Sequence, residues 1–206
     1  FTQLDRSKVQ YIKELGKGNF GAVFLGKVDH LKEGEGEVMV AVKTLRDETS
    51  EVLENFVSEA KTMFSFNHAN IVKIYAVCMK ETPYYMVFEY MDKGDLAHFL
   101  QENASSHQKH KRNPFGVHER TESSISNDPP QLSCEQLTDV CKQIASGMDY
   151  LSKKNHIHRD LACRNCLVSA PLNVKIGDFG MSQNLYTRDY YRVNGKAVLP
   201  IRWMSP

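Results

Sequence analysis

The sequence predicts an α+β protein of two unlike parts, a strand-rich beginning and a helical remainder. Residues 9–45 are dense in β-branched and aromatic side chains broken by glycine clusters. Residues 133–153 instead repeat apolar side chains at intervals of three and four. Between them, Met91-Asp92-Lys93-Gly94 reads as a break between two lobes. At 206 residues the chain can bury a substantial core, as one large domain or two small lobes.

In the first part, Val9, Tyr11, Ile12 and Leu15 lead into Gly16-Lys17-Gly18-Asn19-Phe20-Gly21, and Val23, Phe24, Leu25 and Val28 follow. The glycines therefore sit between two strands. A phosphate loop of the Rossmann or Walker kind lies between a strand and a helix, whose N-terminus helps hold the anion. No helix follows here, so the pattern favours a hairpin that covers phosphates with its backbone. The next strand, Val38-Met39-Val40-Ala41-Val42, ends on Lys43. Lys43 is either a solvated strand-end lysine or a cation aimed at phosphate oxygens.

Leu53, Phe56, Val57, Ala60, Met63 and Phe64 mark one face of a helix over 50–64, with Thr49 or Ser50 as its cap. Glu59 lies at the edge of that face. It is either solvated or turned back to pair with Lys43. Two more strands are expected over 71–78 and 84–90, separated by a turn at Thr82-Pro83. Asp95 can cap a short helix beginning at Leu96. Residues 102–131 lose all periodicity and read as an exposed, disordered insertion. Its cluster Lys109-His110-Lys111-Arg112 suggests nuclear targeting or RNA contact less well than a solvated loop. Ser133 and Gln136 then form a capping-box pattern for the long helix, which is expected to be the buried spine of the second part.

Composition narrows the function classes. A formal net charge of +1 excludes a dedicated nucleic-acid binder, which needs a strong basic excess. No apolar run approaches the ~18 residues that span a bilayer, and Phe1 to Arg6 carries no leader pattern. Five cysteines, an odd count without framework spacing, read as reduced thiols. Cys163 and Cys166 form a single C-x-x-C that lacks a second pair for zinc.

The most chemically loaded stretch is His158-Arg159-Asp160-Leu161-Ala162-Cys163-Arg164-Asn165, followed at a distance by Asp178-Phe179-Gly180. A carboxylate able to accept a proton, a carboxamide oxygen and a second acid beside a glycine suit metal-assisted phosphoryl transfer. His156 and His158 are either metal ligands or packed core.

In order and spacing, Gly16-x-Gly18-x-x-Gly21-x-Val23, Val40-Ala41-Val42-Lys43, Glu59, His158-Arg159-Asp160-Leu161, Asn165 and Asp178-Phe179-Gly180 resemble the protein-kinase catalytic domain from residue 9 to the C-terminus. The resemblance implies a bilobal fold. An antiparallel sheet N-lobe would span 9–90, a hinge 91–94, and a mainly helical C-lobe 95–206. Leu15, Gly16, Lys17, Gly18, Asn19, Phe20, Gly21, Ala22 and Val23 would cover ATP. Lys43, held by Glu59, would bind its α- and β-phosphates. Asn165 and Asp178 would hold magnesium, with manganese as an alternative cation. Asp160 would accept the substrate hydroxyl proton or orient that hydroxyl for attack. Val23, Ala41 and Leu167 would sandwich the adenine, Glu89 and Met91 would offer backbone groups to it, and Phe88 would be the gatekeeper. His158 would be packed core, against Met63, Ile74 and Phe179.

Serine/threonine kinases usually carry a lysine two residues after the catalytic aspartate. Here that residue is Ala162, and Arg164 supplies the cation, an arrangement similar to tyrosine kinases. Leu199-Pro200-Ile201-Arg202-Trp203-Met204 resembles their substrate-binding segment. Tyr186, Tyr190 and Tyr191 resemble the three-tyrosine activation loop of receptor tyrosine kinases, sites of autophosphorylation whose added charge cations such as Arg159 could pair. Asp178 to Trp203 looks most similar to discoidin-domain receptors. The long insertion resembles that of the muscle-specific receptor kinase, and Gly94-Asp95-Leu96 is shared with that group and the neurotrophin receptors. What the resemblance implies beyond this chain is a single-pass cell-membrane receptor that dimerises, phosphorylates protein tyrosines and recruits phosphotyrosine-binding proteins. A pseudokinase scaffold is the alternative, disfavoured because Lys43, Glu59, Asp160, Asn165 and Asp178 are all present. The family continues past Ser205-Pro206, so the sequence is expected to be partial and its 133–153 helix to expose apolar surface.

Overall fold

The computed structural model of the chain describes residues 2–18, 21–29, 31, 36–45, 49–103, 132–178 and 183–184. Strands β1 (Val9–Gly18), β2 (Gly21–Val28), β3 (Val38–Thr44), β4 (Ile74–Cys78) and β5 (Tyr85–Glu89) form one antiparallel sheet in the order β1-β2-β3-β5-β4. The register pairs Val23 with Lys43, Leu25 with Ala41, and Ala41 with Phe88. Directly paired residues share a face, so Val23, Ala41, Lys43 and Phe88 look the same way. Val28, Val40, Val42, Tyr85 and Val87 form the opposite, buried face with Leu4. Leu4 arrives on an N-terminal segment laid along β4, where its N–H bonds the Val77 carbonyl at 2.9 Å. Arg6 fastens that segment by donating to the Thr82 and Pro83 carbonyls at 2.8 and 2.5 Å. An edge strand that would otherwise offer unpaired backbone is thereby covered.

Helix α1 (Ser50–Phe64) packs Phe56, Ala60 and Met63 into the main core. Their spacings of four and three place them on one stripe. Thr49 occupies the N-cap position, but its side chain makes no capping bond, contrary to the expected cap. Strand β4 starts three residues later than the apolar run suggested. Ile71 leaves the sheet to bridge Ile176 instead.

In the second part, α2 (Leu96–Glu102) is capped by Asp95, which accepts the His98 N–H at 3.0 Å. This helix includes Glu102, the first residue assigned to the insertion; residues 104–131 lie outside the described residues. Helix α3 (Cys134–Lys153) begins with both capping-box bonds, Gln136 N–H to Ser133 Oγ at 3.1 Å and Ser133 N–H to Gln136 Oε1 at 2.8 Å. Of the two expectations for α3, a buried spine and exposed apolar surface, each describes part of the helix. Val140, Gly147 and Leu151 are buried, whereas Leu137 is 40% exposed and Cys141 is exposed. At 3.6 residues per turn, Leu137 and Cys141 stand about 60–100° around the helix from the covered line. Strand β6 (His156–Ile157) pairs with β9 (Gln183–Asn184), and β7 (Cys166–Ser169) pairs with β8 (Asn173–Ile176).

Two backbone seams join the parts. Residues 92–95 lie against β7: Lys93 N–H bonds Val168 O at 3.0 Å, Val168 N–H bonds Gly94 O at 2.8 Å, and Asp92 Oδ1 takes the Ala170 N–H at 3.0 Å. Gly94 adopts φ +71°, a left-handed conformation that suits glycine. Asp92, Lys93 and Gly94 of the expected break are therefore anchored on β7, and the Gly94 N–H closes a turn on Met91 O at 3.2 Å. The second seam is Asn70, which follows α1. Its Nδ2 donates to Val174 O at 3.0 Å and to Gln143 Oε1 at 3.3 Å, and its carbonyl accepts the Ile176 N–H at 2.9 Å.

Gly147 makes this seam possible. A Cβ there would stand 2.9 Å from both the Asn70 carbonyl oxygen and Ile176 Cδ1. Gly147→Val is expected to destabilise the fold by about 1–3 kcal/mol through overpacking, read as a lower urea midpoint with unchanged slope.

Candidate active site

The stretch His158–Asn165 runs from β6 into β7 through a 3₁₀ turn at Cys163–Asn165. His158 is buried and ties two segments together. Its Nε2 donates to the Gly177 carbonyl at 2.9 Å, and its Nδ1 accepts the Asp160 N–H at 3.3 Å. Gly177 in turn donates its N–H to Asn165 O at 2.8 Å. The imidazole thus fixes Asp160 and the residue before Asp178 in one frame.

Both carboxylate oxygens of Asp160 are held. Arg164 Nη2 donates to Oδ1, and Asn165 Nδ2 donates to Oδ2 at 2.9 Å and to the Asp160 carbonyl at 2.8 Å. Arg159 and Asp178 adopt φ +67° and +54°. Left-handed conformations in non-glycine residues cost energy and gather at functional sites.

Across the fold, Lys43 Nζ contacts Glu59 Oε1 at 2.7 Å and Asp178 Oδ1 at 3.8 Å. Burial pulls the Lys43 ammonium down. The Glu59 carboxylate, with Asp178, more than reverses this and holds it above the ordinary lysine value. Glu59 thus turns back toward the sheet, and α1 and β3 are joined at this point.

The donor set suits a hard cation. Asn165 spends its Nδ2 on Asp160, which leaves Oδ1 as the atom it could offer a cation, and the Asp178 side chain is 58% exposed. Among the described residues no cluster of three or more His, Cys, Asp or Glu could hold a metal by itself.

The glycine hairpin pairs Gly16 with Val23, Lys17 with Ala22, and Gly18 with Gly21. Leu15 is exposed beside it. A Cβ on Gly16 would meet nothing within 4 Å among the described residues. Asn19, Phe20, Phe179, Gly180 and the tyrosines Tyr186, Tyr190 and Tyr191 lie outside the described residues. Of the residues expected around adenine, Met91 is buried, while Val23, Ala41, Phe88, Glu89 and Leu167 are partly buried. The Glu89 N–H bonds Lys73 O at 3.0 Å, and Met91 O accepts the Gly94 N–H at 3.2 Å.

A family model for protein tyrosine and serine/threonine kinases matches residues 9–206. The chain belongs to the protein kinase family. It is 43% identical over 203 residues to the BDNF/NT-3 growth factors receptor of Gallus gallus, covering 98% of this chain and 23% of that protein. It is 44% identical over 196 residues to the high affinity nerve growth factor receptor of Gallus gallus, covering 94% and 23%. It is 42% identical over 207 residues to the NT-3 growth factor receptor of Mus musculus, covering 98% and 23%. The chain thus spans about a quarter of the length of the curated relatives it matches. The five-stranded sheet followed by α2 and α3 is the kinase fold expected from the motifs.

Two features of this kinase escaped the sequence reading. The Glu89 carboxylate accepts Lys175 Nζ at 2.8 and 2.7 Å, and its Oε1 takes the Lys73 N–H at 2.6 Å. Both side chains of the Glu89–Lys175 pair are about 15% exposed. The only local signal was a lysine between Val174 and Ile176 in a short apolar run. The other is the pair of hydrogen bonds that His158 makes with Gly177 and Asp160, where only packing was expected.

Burial lowers the His158 pKa, and the Gly177 bond only partly opposes it. Burial likewise lowers His156. The unfolded chain therefore binds these protons more readily. Their neutral forms contribute stability that is fully present above the unfolded value near pH 6.5 and is lost as pH falls toward the folded values. Thermal midpoints are expected to fall between pH 7 and pH 5, with a shallower fall in His158→Asn.

Proposed function

We propose that this kinase transfers the γ-phosphoryl group of ATP, as its magnesium complex, to protein tyrosine hydroxyls. The observation that carries the reading is the Asp160 carboxylate, held by Arg164 and Asn165 and framed through His158 and Gly177 with Asp178. Bound Mg-ATP supplies the phosphoryl group and the charge that offsets its oxygens. The chain's own residues position and neutralise. Lys43, steadied by Glu59, binds the α- and β-phosphates. The Asn165 Oδ1 and the Asp178 carboxylate hold the cation. The hairpin from Gly16 to Gly21 lays its backbone over the phosphates. Asp160 orients the tyrosine hydroxyl and accepts its proton, and Arg164 balances the carboxylate's charge.

Val23, Ala41 and Leu167 enclose the adenine, Glu89 and Met91 meet its edge, and Phe88 guards the space behind. Ala162 and Arg164, in place of a lysine at 162, support tyrosine over serine. We also infer that Tyr186, Tyr190 and Tyr191 are autophosphorylated. The kinase would act within a dimerising single-pass receptor of the cell membrane whose phosphotyrosines recruit signalling proteins. The neurotrophin-receptor relatives support this setting. No helix among the described residues is long and apolar enough to cross a membrane, so the anchor would belong to other parts of such a receptor.

Phosphotyrosine formation by the intact protein with Mg-ATP tests the reading. Asp160→Asn keeps the shape of the side chain and removes its basicity, and is expected to lower kcat by about 10²–10⁴-fold. Equal background signal from wild type and variant would leave a scaffold without turnover.

A further inference from the structure

We propose that Cys163 and Cys166 form a peroxide-sensitive dithiol whose oxidation to an intramolecular disulfide reversibly distorts the catalytic loop. Cys163 opens the 3₁₀ turn, and Cys166 follows its last residue. The Cys166 N–H bonds the Cys163 carbonyl, closing an i to i+3 turn. Such turns bring the two Cα atoms within about 7 Å, and disulfides span Cα separations of about 4.4–6.8 Å. Cys166 is extended (φ −101°, ψ 128°) at the start of β7 with its side chain in the core, so the two sulfurs meet only when Cys166 turns outward and the backbone between them moves. The other cysteines do not share this geometry. Cys134 and Cys141 are seven residues apart along α3, about 10 Å by helical rise, and Cys78 lies buried in the sheet.

The two thiols are unequally placed. Cys163 is exposed, while Cys166 is 1% exposed in the main core. A hydroperoxide therefore reaches Cys163 first. The Cys163 sulfur attacks the peroxide, the O–O bond breaks, and a sulfenic acid and one water form from hydrogen peroxide. The Cys166 thiol then displaces the sulfenic oxygen, which leaves as a second water, and the S–S bond forms. Two thiols lose two electrons and peroxide gains them.

The consequence for activity rests on the function proposed above. Arg164 and Asn165 are the two residues enclosed by the bridge, and both hold Asp160. To bond, the Cys166 sulfur has to leave the core and turn toward Cys163. Asn165 is fixed on either side, by its N–H to Ala162 O at 2.9 Å and its carbonyl to Gly177 N–H at 2.8 Å. The turn cannot tighten without moving Asn165 against those bonds.

The test is peroxide treatment of the intact protein, alkylation of remaining thiols, and tryptic digestion without reductant. Cleavage after Arg159, Arg164 and Lys175 separates the two cysteines. The expected product is peptide 160–164 joined to peptide 165–175, two hydrogens lighter than their sum. It disappears on dithiothreitol treatment and in Cys163→Ser. Phosphoryl transfer is expected to fall about a hundredfold, the scale of a small misplacement of catalytic groups. It should recover with dithiothreitol, and Cys163→Ala should resist the loss. Cys163 recovered alkylated, as a sulfinic acid, or joined to another cysteine, with Cys166 still a thiol, would overturn the disulfide. The joined peptides with unchanged transfer would overturn its control of activity. Joined peptides in a protein that never transfers phosphate would support the modification site and count against the proposed function alone.

Discussion

Lys43→Met is expected to lower kcat/KM for tyrosine phosphorylation by about 10²–10³-fold, the range seen when a preorganised charge is removed from a reacting centre. The same change leaves the Glu59 carboxylate, 12% exposed, without its ammonium. Losing one partner of a buried pair costs up to about 3–5 kcal/mol, and with Lys43 itself 23% exposed a loss of about 2–3 kcal/mol is expected. Glu59→Gln in the same background removes the stranded charge. The double variant should therefore regain stability without regaining activity. A double variant as active as wild type would show that the pair only braces α1 against β3. A Lys43→Met protein that unfolds like wild type would contradict the buried ion pair.

The second large effect is expected at Lys175. Its ammonium bridges β8 to the end of β5 through both oxygens of Glu89. Lys175→Met should destabilise the fold by about 3 kcal/mol, because the uncompensated carboxylate remains near the low-dielectric interior. Glu89→Gln alone still offers an oxygen to the Lys73 N–H and to Lys175, and should cost less. The combination Lys175→Met with Glu89→Gln should lie closer to wild type than Lys175→Met does. Urea unfolding of the three variants reads this ordering. An additive result would mean that the two side chains do not interact energetically.

The strands, α1 and α3 were legible because their signals are local. Glycines between two β-branched runs made a hairpin, spacings of three and four made α1, and Ser133 with Gln136 made a capping box that forms both of its bonds. The Lys43–Glu59 pair was also within reach, since a strand-end lysine and a glutamate at the edge of an apolar helical face can meet when helix packs on sheet. Contacts between residues far apart in sequence were not legible. Asn70 meets Val174 and Gln143, and Glu89 meets Lys175, with 73 to 104 residues between partners. No period in either partner encodes the other, and the need for them arises only once two lobes are brought together. How much of the α3 stripe is covered was not legible for a related reason. Periodicity marks apolar positions, but which part of the stripe is covered depends on what packs against it, and Leu137 and Cys141 lie off that line. Thr49 shows the limit of residue type, since a threonine at the right place leaves the cap unmade by its side chain.

The central claim is transfer of phosphate to tyrosine through Asp160. Two peptides identical except for tyrosine or serine at the acceptor position, offered with Mg-ATP to the wild-type protein and to Asp160→Asn, test it most directly. Phosphorylation of the tyrosine peptide by wild type, at least about 10²-fold faster than by Asp160→Asn and far faster than that of the serine peptide, is the predicted result. Transfer to both peptides alike, or no transfer above the Asp160→Asn background, would contradict it.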